Sequence, residues 1–351
     1  MPNIIKIGKK IIGEGQPVFI VAELSGNHNQ NIDRAYKLID EAANAKVDAV
    51  KLQTYTPDTM TIDSNEKYFQ VNVNDAWKGQ TLYQLYKTAY TPWKWQSKLK
   101  KYAEKKGLIL FSTPFDKTAV DFLESMEVLA YKVASFEIGD IELLKKIGKT
   151  KKPVIISRGM ATKEEISLAL NTLREYGSRQ IAVLHCVSSY PVKLEEMNLA
   201  TIPNLAKNFK VVVGLSDHSL GIIAAVTSVA LGAKIIEKHL TLKRSDGGPD
   251  AAFSLEPQEL EQLVKSVRDA EKVIGKVQYG TGKKESASMI FRRSLFAVQN
   301  IKAGEKFTLK NVRCIRPGFG LAPKELPKIL DKKAKTNIKR GTPLSWDLIS
   351  R

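Results

Sequence analysis

Cysteine is scarce in this chain of 351 residues: Cys186 and Cys314 are the only two, too few for a disulfide scaffold. The chain also lacks any run of about 18 or more apolar residues, which argues against a membrane-spanning helix. Its first residues, MPNIIKIGKKIIGEG, lack the apolar stretch of a secretory signal. We therefore expect a cytoplasmic protein with reduced thiols and no membrane partner.

Negative charge is also in short supply, since 37 Asp or Glu face 55 Lys or Arg and leave a formal net charge of +18. Residues 285–351 alone hold 15 Lys or Arg against 5 Asp or Glu. Such a segment could attract nucleic acid, a membrane surface or an anionic substrate. No RNA-module signature or basic zipper accompanies it. We predict a solvated basic face without a nucleic-acid partner, and keep a basic binding protein as the alternative outside the enzymes.

Short apolar runs rich in Val and Ile dominate the first three quarters of the chain, and most end in polar residues. They read VFIVAELSGNH, DAVKLQTY, LILFSTPF, AYKVASFE, PVIISRGM, IAVLHCVSSYP, VVVGLSDHS and AKIIEKHL. Runs of this kind are typical of strands buried on both faces. Segments with helical spacing, such as IDRAYKLIDEAANA, lie between them. Eight such strand–helix pairs predict a closed α/β TIM barrel, whose active site lies at the carboxyl ends of the strands.

The chain beyond the eighth run predicts a second, smaller domain. A helical segment, LEPQELEQLVKSVRDAEKVIG, is followed by VQYGTGKKESAS, which is rich in Gly, Ser and Lys and is typical of a linker. Short strand-like runs and turn residues follow. We predict a barrel domain over 1–278, a linker over 279–290 and a small domain over 291–351, close to the lower size limit for independent folding.

Two histidines end consecutive runs, His218 in GLSDHS and His239 in IEKHLTL. Because neighbouring barrel strands lie side by side, both imidazoles can point into one mouth and hold a divalent metal, with water and substrate completing its coordination. Asp217 and Glu237 are candidates to support those ligands. His185 is interpreted as a hydrogen-bonded core residue.

Two lysines interrupt apolar runs, Lys51 in DAVKLQTY and Lys132 in AYKVASFE. A buried lysine is costly unless an anion meets it. An internal ion pair with Glu23 or Glu137 is one interpretation. The functional interpretation is a cradle for a phosphate and a carboxylate, completed by strand-end hydroxyls; these belong to Thr113, Ser135, Ser157 and Ser216. A Schiff-base lysine is a rival interpretation.

Further carboxylates lie near the predicted mouth. Glu23, in AELSGNHN, could orient a sugar hydroxyl or act as a base, and Glu137 could exchange a proton beside Lys132. Asp250, in the loop SDGGPDAAFS, could bind a hydroxyl or an amide, although such turns are usually just turns. By composition alone, Arg316 in IRPGFG is a surface residue.

These motifs resemble the sialic acid synthase family, which condenses phosphoenolpyruvate with an amino sugar. The resemblance covers almost the whole chain through AELSGNHN, VKLQTY, FSTPFD, AYKVASFE, GLSDHS, IEKHLTL, SLEP, RRSLFA and RPGFGLAP. The last two are similar to the antifreeze-like (SAF) domain of that family. KLQTYTPDTMT, LYKTAYTPWKW and ASFEIGD are most similar to the branch that makes pseudaminic acid.

The resemblance implies a reaction of phosphoenolpyruvate with an open-chain 2,4-diacetamido-2,4,6-trideoxy hexose of the altrose type. Its products would be pseudaminic acid and phosphate, released by C–O cleavage, with a cell-surface glycan such as that of flagellin as the destination. Acceptors that lead to legionaminic or N-acetylneuraminic acid stay open. A barrel aldolase that uses Lys132 as a Schiff base is the rival enzyme.

The resemblance also implies roles for individual residues. His218 and His239 would bind Mn²⁺ or Mg²⁺, and phosphoenolpyruvate would be held by Lys51, Thr113, Lys132, Ser135, Ser157 and Ser216. Contacts to the sugar or the bound intermediate match Glu23, Tyr190 and Asp250, and a proton-transfer role matches Glu137. Arg316 matches an arginine that enters the partner subunit's barrel, which implies a domain-swapped homodimer. We add Asn27, Gln53 and Ser188 as predicted substrate-binding residues.

Overall fold

The computed structural model describes residues 3–71, 79–282 and 284–350. It divides into two compact units, the first ending at Gly275 and the second beginning at Lys276. A two-stranded antiparallel hairpin, β1 (Ile4–Ile7) and β2 (Lys10–Gly13), opens the first unit. None of the described helices is both long and apolar enough to cross a membrane.

Eight parallel strands then close into a barrel, which confirms the predicted architecture. They are β3 (Phe19–Glu23), β4 (Ala49–Thr54), β5 (Ile109–Pro114), β6 (Tyr131–Val133), β7 (Val154–Ser157), β8 (Ile181–Cys186), β9 (Val212–Asp217) and β10 (Ile235–His239). Each strand pairs with the next along the chain, and β10 closes the ring against β3. Consecutive runs of the sequence are therefore neighbours in space.

The helices of the first unit follow the strands in the order that the sequence predicts. They are α1 (Ile32–Asn44), α2 (Pro57–Met60), α3 (Leu82–Ala89), α4 (Trp93–Lys105), α5 (Lys117–Ser125), α6 (Ile141–Lys149), α7 (Lys163–Glu175), α8 (Thr201–Phe209), α9 (Ile223–Ala230) and α10 (Pro257–Ile274). Several begin at side-chain caps; at α7, Thr162 and Glu165 form a capping box. The strand residues that face outward pack against these helices in two apolar clusters.

The inside of the barrel is apolar at one end and polar at the other. Near the amino ends of the strands, inward residues such as Phe111 and Ile235 form one cluster with Ile5, Ile7 and Ile12 of the hairpin, which plugs that end. Because strand residues alternate between two faces, the next inward positions along each strand lie one layer higher. There the buried residues are lysines, glutamates, hydroxyls and histidines.

Close approach of β9 and β10 depends on one glycine. A Cβ atom added to Gly214 would lie 2.3 Å from the carbonyl oxygen of Ile235, a distance that backbone atoms do not tolerate. The missing side chain lets the two strands pair at Leu215, Ser216 and Asp217. This contact brings together the two strand ends that carry the histidines.

The second unit has its own small core. Its strands β11 (Ser294–Ala297) and β12 (Val312–Ile315) pair in antiparallel fashion, and the short helix α11 (Leu326–Ile329) follows. Buried side chains at its centre include Leu295, Phe307 and Val312. A separate apolar cluster is what a small domain needs in order to form its own compact unit.

A buried ion pair ties the outer faces of β9 and β10 together. Lys238 Nζ lies 2.8 Å from Asp217 Oδ2, and both side chains are fully shielded from solvent. Lys238 also donates to the carbonyl oxygen of Ser219, whose backbone NH and hydroxyl donate to Asp217 Oδ1. Asp217 is thus bonded to Lys238 and Ser219, and it acts on His218 only as a nearby charge.

We predict that Lys238→Met lowers the free energy of unfolding by about 3–5 kcal/mol, because it leaves the Asp217 charge buried without its partner. The measurement is chemical denaturation at neutral pH. Lys272→Met is the matched control, since Lys272 forms a solvent-exposed pair with Asp269 and such pairs contribute little. Equal losses in the two variants would contradict the prediction.

Candidate active site

A cavity of about 330 Å³ lies at the carboxyl ends of the barrel strands. Most of the residues that we predicted from the sequence line it. They are Lys51, Gln53, Lys132, Ser135, Glu137, Ser157, Tyr190, Ser216, His218, His239 and Asp250. The strand residues meet because inward positions of neighbouring parallel strands share one layer. The others join them from the loops that follow the strands; these are Ser135, Glu137, Tyr190, His218 and Asp250.

Lys51 lies between two carboxylates. It forms ion pairs with Glu23 and, at 3.4 Å, with Glu237, and its Nζ donates to Thr113 Oγ1 at 3.2 Å. Burial by itself would lower the pKa of Lys51, but the two carboxylate charges outweigh it and raise that pKa. The lysine is therefore charged at neutral pH, and the interpretation of Lys51 as a partner of Glu23 is confirmed.

Lys132 has weaker compensation. Its Nζ donates to Ser157 Oγ at 2.6 Å and to the carbonyl oxygen of Val133 at 3.1 Å, while Glu237 Oε1 lies 4.0 Å away. Burial lowers the pKa of Lys132, and the nearby Lys51 charge acts in the same direction against the attraction of Glu237. An added anion would offset this unfavourable balance.

Glu237 lies close to both lysines. From the sequence we expect it only to support the histidines. It accepts from Ser216 Oγ at 3.1 Å. Burial would raise its pKa, but Lys132 and Lys51 outweigh burial and hold that pKa below its usual value. The signal was present in the run AKIIEKHL, where a glutamate occupies the inward position two residues before His239.

In two further carboxyl groups, burial outweighs the nearby positive charge and raises the pKa. Burial raises the pKa of Glu23 to about 7 despite the opposing charge of Lys51. Burial likewise raises the pKa of Glu137 to about 7, and the Lys132 charge only partly counteracts it. Glu137 Oε2 is buried and has no hydrogen-bond partner among the described residues. Both groups therefore sit near the protonation midpoint at neutral pH.

The two imidazoles meet above this layer. The ring centroids of His218 and His239 are 5.4 Å apart at an angle of 66°. His218 Nδ1 lies 3.0 Å from the carbonyl oxygen of Val187, which can only accept, so this nitrogen carries a proton. Burial would lower the pKa of His218, but Cys186 and this carbonyl group outweigh burial and raise that pKa. Nε2 is the nitrogen left to bind a metal ion, and binding displaces any proton that it carries. Phe253 packs against His239 at a centroid distance of 4.9 Å and fixes its ring.

His239 is suited to hold a metal ion. Its Nδ1 is buried without a hydrogen bond to any described residue, and Asp250 Oδ2 lies 3.8 Å from it. Burial, together with the His218 and Lys51 charges, lowers its pKa well below the usual value, so the ring is neutral as a ligand must be. Within the described chain, no group of three or more His, Cys, Asp or Glu is arranged around one ion position. Two imidazoles fit a divalent ion whose remaining positions go to water and substrate.

Two predicted residues lie in the loops that follow β6 and β8. Ser135 Oγ and Ser188 Oγ are 2.8 Å apart. Gly159 makes this contact possible, because its φ is +45° and an added Cβ would lie 2.2 Å from Ser135 Cβ. Ser188 therefore reaches the cavity through Ser135, which lines it.

Asn27 holds loops together instead of lining the cavity. Its amide nitrogen donates to the carbonyl oxygen of Leu240 at 2.9 Å and to Ser254 Oγ at 2.8 Å. His185 is hydrogen-bonded to Arg158 and to the Met197 carbonyl, as expected for a core residue. Arg316 belongs to the second unit, where its side chain is exposed in the turn after β12.

The chain matches two family models, the NeuB family over residues 38–279 and the SAF domain over residues 292–350. The second match confirms the predicted type of the small domain. Among curated relatives, it is 43% identical to pseudaminic acid synthase of Campylobacter jejuni subsp. jejuni serotype O:2, over 93% of this chain and 95% of that protein. It is 40% identical to pseudaminic acid synthase of Helicobacter pylori, over 96% and 99%.

A solved structure shares the fold. This is the N-acetylneuraminic acid (sialic acid) synthetase from Leptospira borgpetersenii serovar Hardjo-bovis in complex with citrate, with a TM-score of 0.73 and 35% identity. The match covers 82% of this chain and 96% of that one.

We predict that Glu137→Gln flattens the pH dependence of stability. With its pKa raised from 4.5 to about 7, Glu137 keeps a proton in the folded state that the unfolded chain loses, so stability falls as the pH rises through that window. At about 1.36 kcal/mol per pKa unit, the variant should gain up to about 3 kcal/mol over the native protein between pH 5 and pH 8. Urea denaturation at the two pH values measures this difference.

Glu195→Gln is the control, because Glu195 is exposed on the short 3-10 helix Leu194–Glu196. It should keep the pH dependence of the native protein. Glu23 acts in the same direction as Glu137, so only the difference between variant and native protein is diagnostic. Parallel pH profiles for native protein and Glu137→Gln would contradict the raised pKa.

Proposed function

The chain belongs to the NeuB family, and from this premise we propose that it is a transferase that makes pseudaminic acid. The substrates are phosphoenolpyruvate and an open-chain 2,4-diacetamido-2,4,6-trideoxy hexose, and phosphate leaves by C–O cleavage. The observation that carries the proposal is the convergence of Lys51, Lys132, His218 and His239 on one cavity. Identities of 43% and 40% to pseudaminic acid synthases over nearly the whole chain support this choice of product.

The two lysines bind phosphoenolpyruvate. Its phosphate and carboxylate are anions, and Lys51 and Lys132 are buried cations flanked by hydroxyl donors. Ser157 and Ser216 already contact Lys132 and Glu237, and Ser135 lines the same cavity. In this partly dry site, fixed charges stabilise the charge that moves onto the leaving phosphate.

The imidazole pair holds a divalent ion, Mn²⁺ or Mg²⁺. The buried, unbonded Nδ1 of His239 and the available Nε2 of His218 support this assignment. When bound, the ion polarises the aldehyde oxygen of the sugar. Asp250 and Tyr190, which line the same side of the cavity, orient the sugar hydroxyl and amide groups.

Glu137 transfers the protons of the reaction. C3 of phosphoenolpyruvate attacks the aldehyde carbon, and the new alkoxide takes a proton from Glu137. Water then adds to C2 and returns one proton to Glu137. The C2 hydroxyl gives its remaining proton to the phosphate as the bond from C2 to the phosphate oxygen breaks, which leaves a 2-keto group. A pKa of about 7 lets Glu137 act in both directions at neutral pH. Glu23 orients the sugar or the incoming water.

The protein acts as a domain-swapped homodimer in which Arg316 of one subunit contacts the sugar in the barrel of its partner. The exposed position of Arg316 in the small domain supports this role. A cytoplasmic location is supported by the two free cysteines.

We expect phosphate release from phosphoenolpyruvate in the presence of a 2,4-diacetamido-2,4,6-trideoxy altrose. The assay compares this sugar with its legionaminic and N-acetylneuraminic acid counterparts. A preference for either counterpart would replace the proposed product. If none supports phosphate release, the proposed condensation is wrong.

The same assay tests the ion and the rival aldolase. Treatment with a chelator should abolish turnover, and added Mn²⁺ should restore it; full activity after treatment would exclude the ion. Borohydride trapping with pyruvate should leave Lys132 unmodified, because the condensation needs no covalent adduct.

We predict that two defective variants, Arg316→Ala and His239→Ala, complement each other when their subunits are mixed and allowed to exchange. Each mixed dimer then contains one site with both His239 and Arg316 intact. A 1:1 mixture should regain roughly a quarter of native activity, as two-fold symmetry requires. Activity no greater than the average of the separate variants would show that Arg316 does not act across subunits.

A further inference from the structure

Helix α3 lines one side of the cavity with apolar side chains. Leu82, Leu85, Tyr86 and Ala89 recur at intervals of three and four residues, so they share one face of the helix. All four line the cavity, together with Met60 and Val71 of the same β4–α4 connection. We call this surface the apolar wall; it consists of Met60, Val71, Leu82, Leu85, Tyr86 and Ala89.

The apolar wall is held in place by polar contacts on its other sides. Gln30 Nε2 donates to the carbonyl oxygens of Thr88 at 3.1 Å and Tyr90 at 2.6 Å. At the start of α3, Thr81 forms a capping box with the third residue of the helix. Gly26 packs so closely that an added Cβ would lie 3.0 Å from the Ala89 carbonyl oxygen. The wall therefore has a fixed position from which it can select among substrates.

The polar residues of the cavity lie mostly at the strand ends, and other loops add apolar surface from Phe115, Phe136 and Pro249. Lys51 and Lys132 lie on strands, whereas the wall belongs to the connection that follows β4 and so lies beyond the strand ends. The chemistry places C1 of the sugar beside phosphoenolpyruvate at the strand ends. C6 is the carbon furthest from C1 along the open chain, so it extends toward the loops beyond the strand ends, of which the wall is a part.

We propose that the apolar wall receives the C6 methyl group of the sugar and makes the enzyme selective for 6-deoxy over 6-hydroxy acceptors. This inference rests on the proposed function. Apart from the Tyr86 hydroxyl, the wall offers no hydrogen bond to a 6-hydroxyl group, which would lose its water on entering. A pocket of this kind discriminates by roughly 10- to 100-fold against an added hydroxyl group.

The experiment compares kcat/KM for two sugars that differ only at C6. They are the 2,4-diacetamido-2,4,6-trideoxy altrose and its 6-hydroxy analogue. The native enzyme should prefer the deoxy sugar by about 10- to 100-fold. Leu82→Gln places a polar group on the wall and should reduce that preference by about tenfold or more, while the KM for phosphoenolpyruvate stays the same.

Two matched variants complete the design. Leu82→Met keeps the wall apolar and should retain the native preference. Lys87→Gln changes an exposed residue of α3 that does not line the cavity, and it should also retain the preference. Circular dichroism of all three variants checks that the helix is intact.

The outcomes separate this inference from the proposed function. Phosphate release by the native enzyme with equal kcat/KM for both sugars would overturn the wall inference and leave the condensation standing. If Leu82→Gln lowers kcat/KM equally for both sugars, the wall shapes the cavity but does not discriminate between sugars at C6. If the native enzyme releases no phosphate with any amino sugar, both the proposed function and this inference fail.

Discussion

The buried charges at the carboxyl ends of the strands are the constraint on which this protein depends. Two lysines and two glutamates, Lys51, Lys132, Glu23 and Glu237, are almost completely shielded from solvent. Taking such groups out of water costs several kcal/mol for each ion, and contact with opposite charges offsets that cost only in part. Burial of four ionisable groups within one layer is therefore a strong indication of a function that needs them.

Nearby negative charge compensates Lys51 better than Lys132, and this difference fits different roles for the two lysines. Lys51 has two close carboxylates, whereas Lys132 has one at 4.0 Å and otherwise relies on a hydroxyl and a carbonyl group. An incoming anion gains more beside Lys132 than beside a lysine that is already neutralised. Glu137, close to Lys132, is nearly half protonated at neutral pH and can exchange a proton there.

Two features of the fold support the layer of buried ionisable groups, whose removal from water is unfavourable. The hairpin plugs the apolar end of the barrel, so the interior residues beneath the charges are close-packed and dry. Behind the histidine strands, the pair Lys238–Asp217 holds β9 and β10 together. The apolar wall, from the connection that follows β4, bounds part of the cavity. Rigid surroundings of this kind keep reactive groups in a productive geometry.

By itself, the sequence determined the barrel, the order of its strands and most of the cavity lining. Apolar runs of strand length alternated with helical segments, and the period of two placed Lys51, Lys132, His218 and His239 on inward positions. The family motifs also identified the small domain that the SAF match confirms. Local patterns suffice for these features because they depend on spacing along the chain.

Only the tertiary structure decided the partners of each charge and the shape of the cavity. Glu237 proved to join both lysines, Asp217 turned to Lys238 on the outer face, and Asn27 bonded to loops instead of the cavity. Helix α3 showed an apolar stripe in the sequence, but a stripe does not say what it covers. Ion pairs and cavity walls join residues far apart in the chain, and their geometry exists only once the barrel has closed.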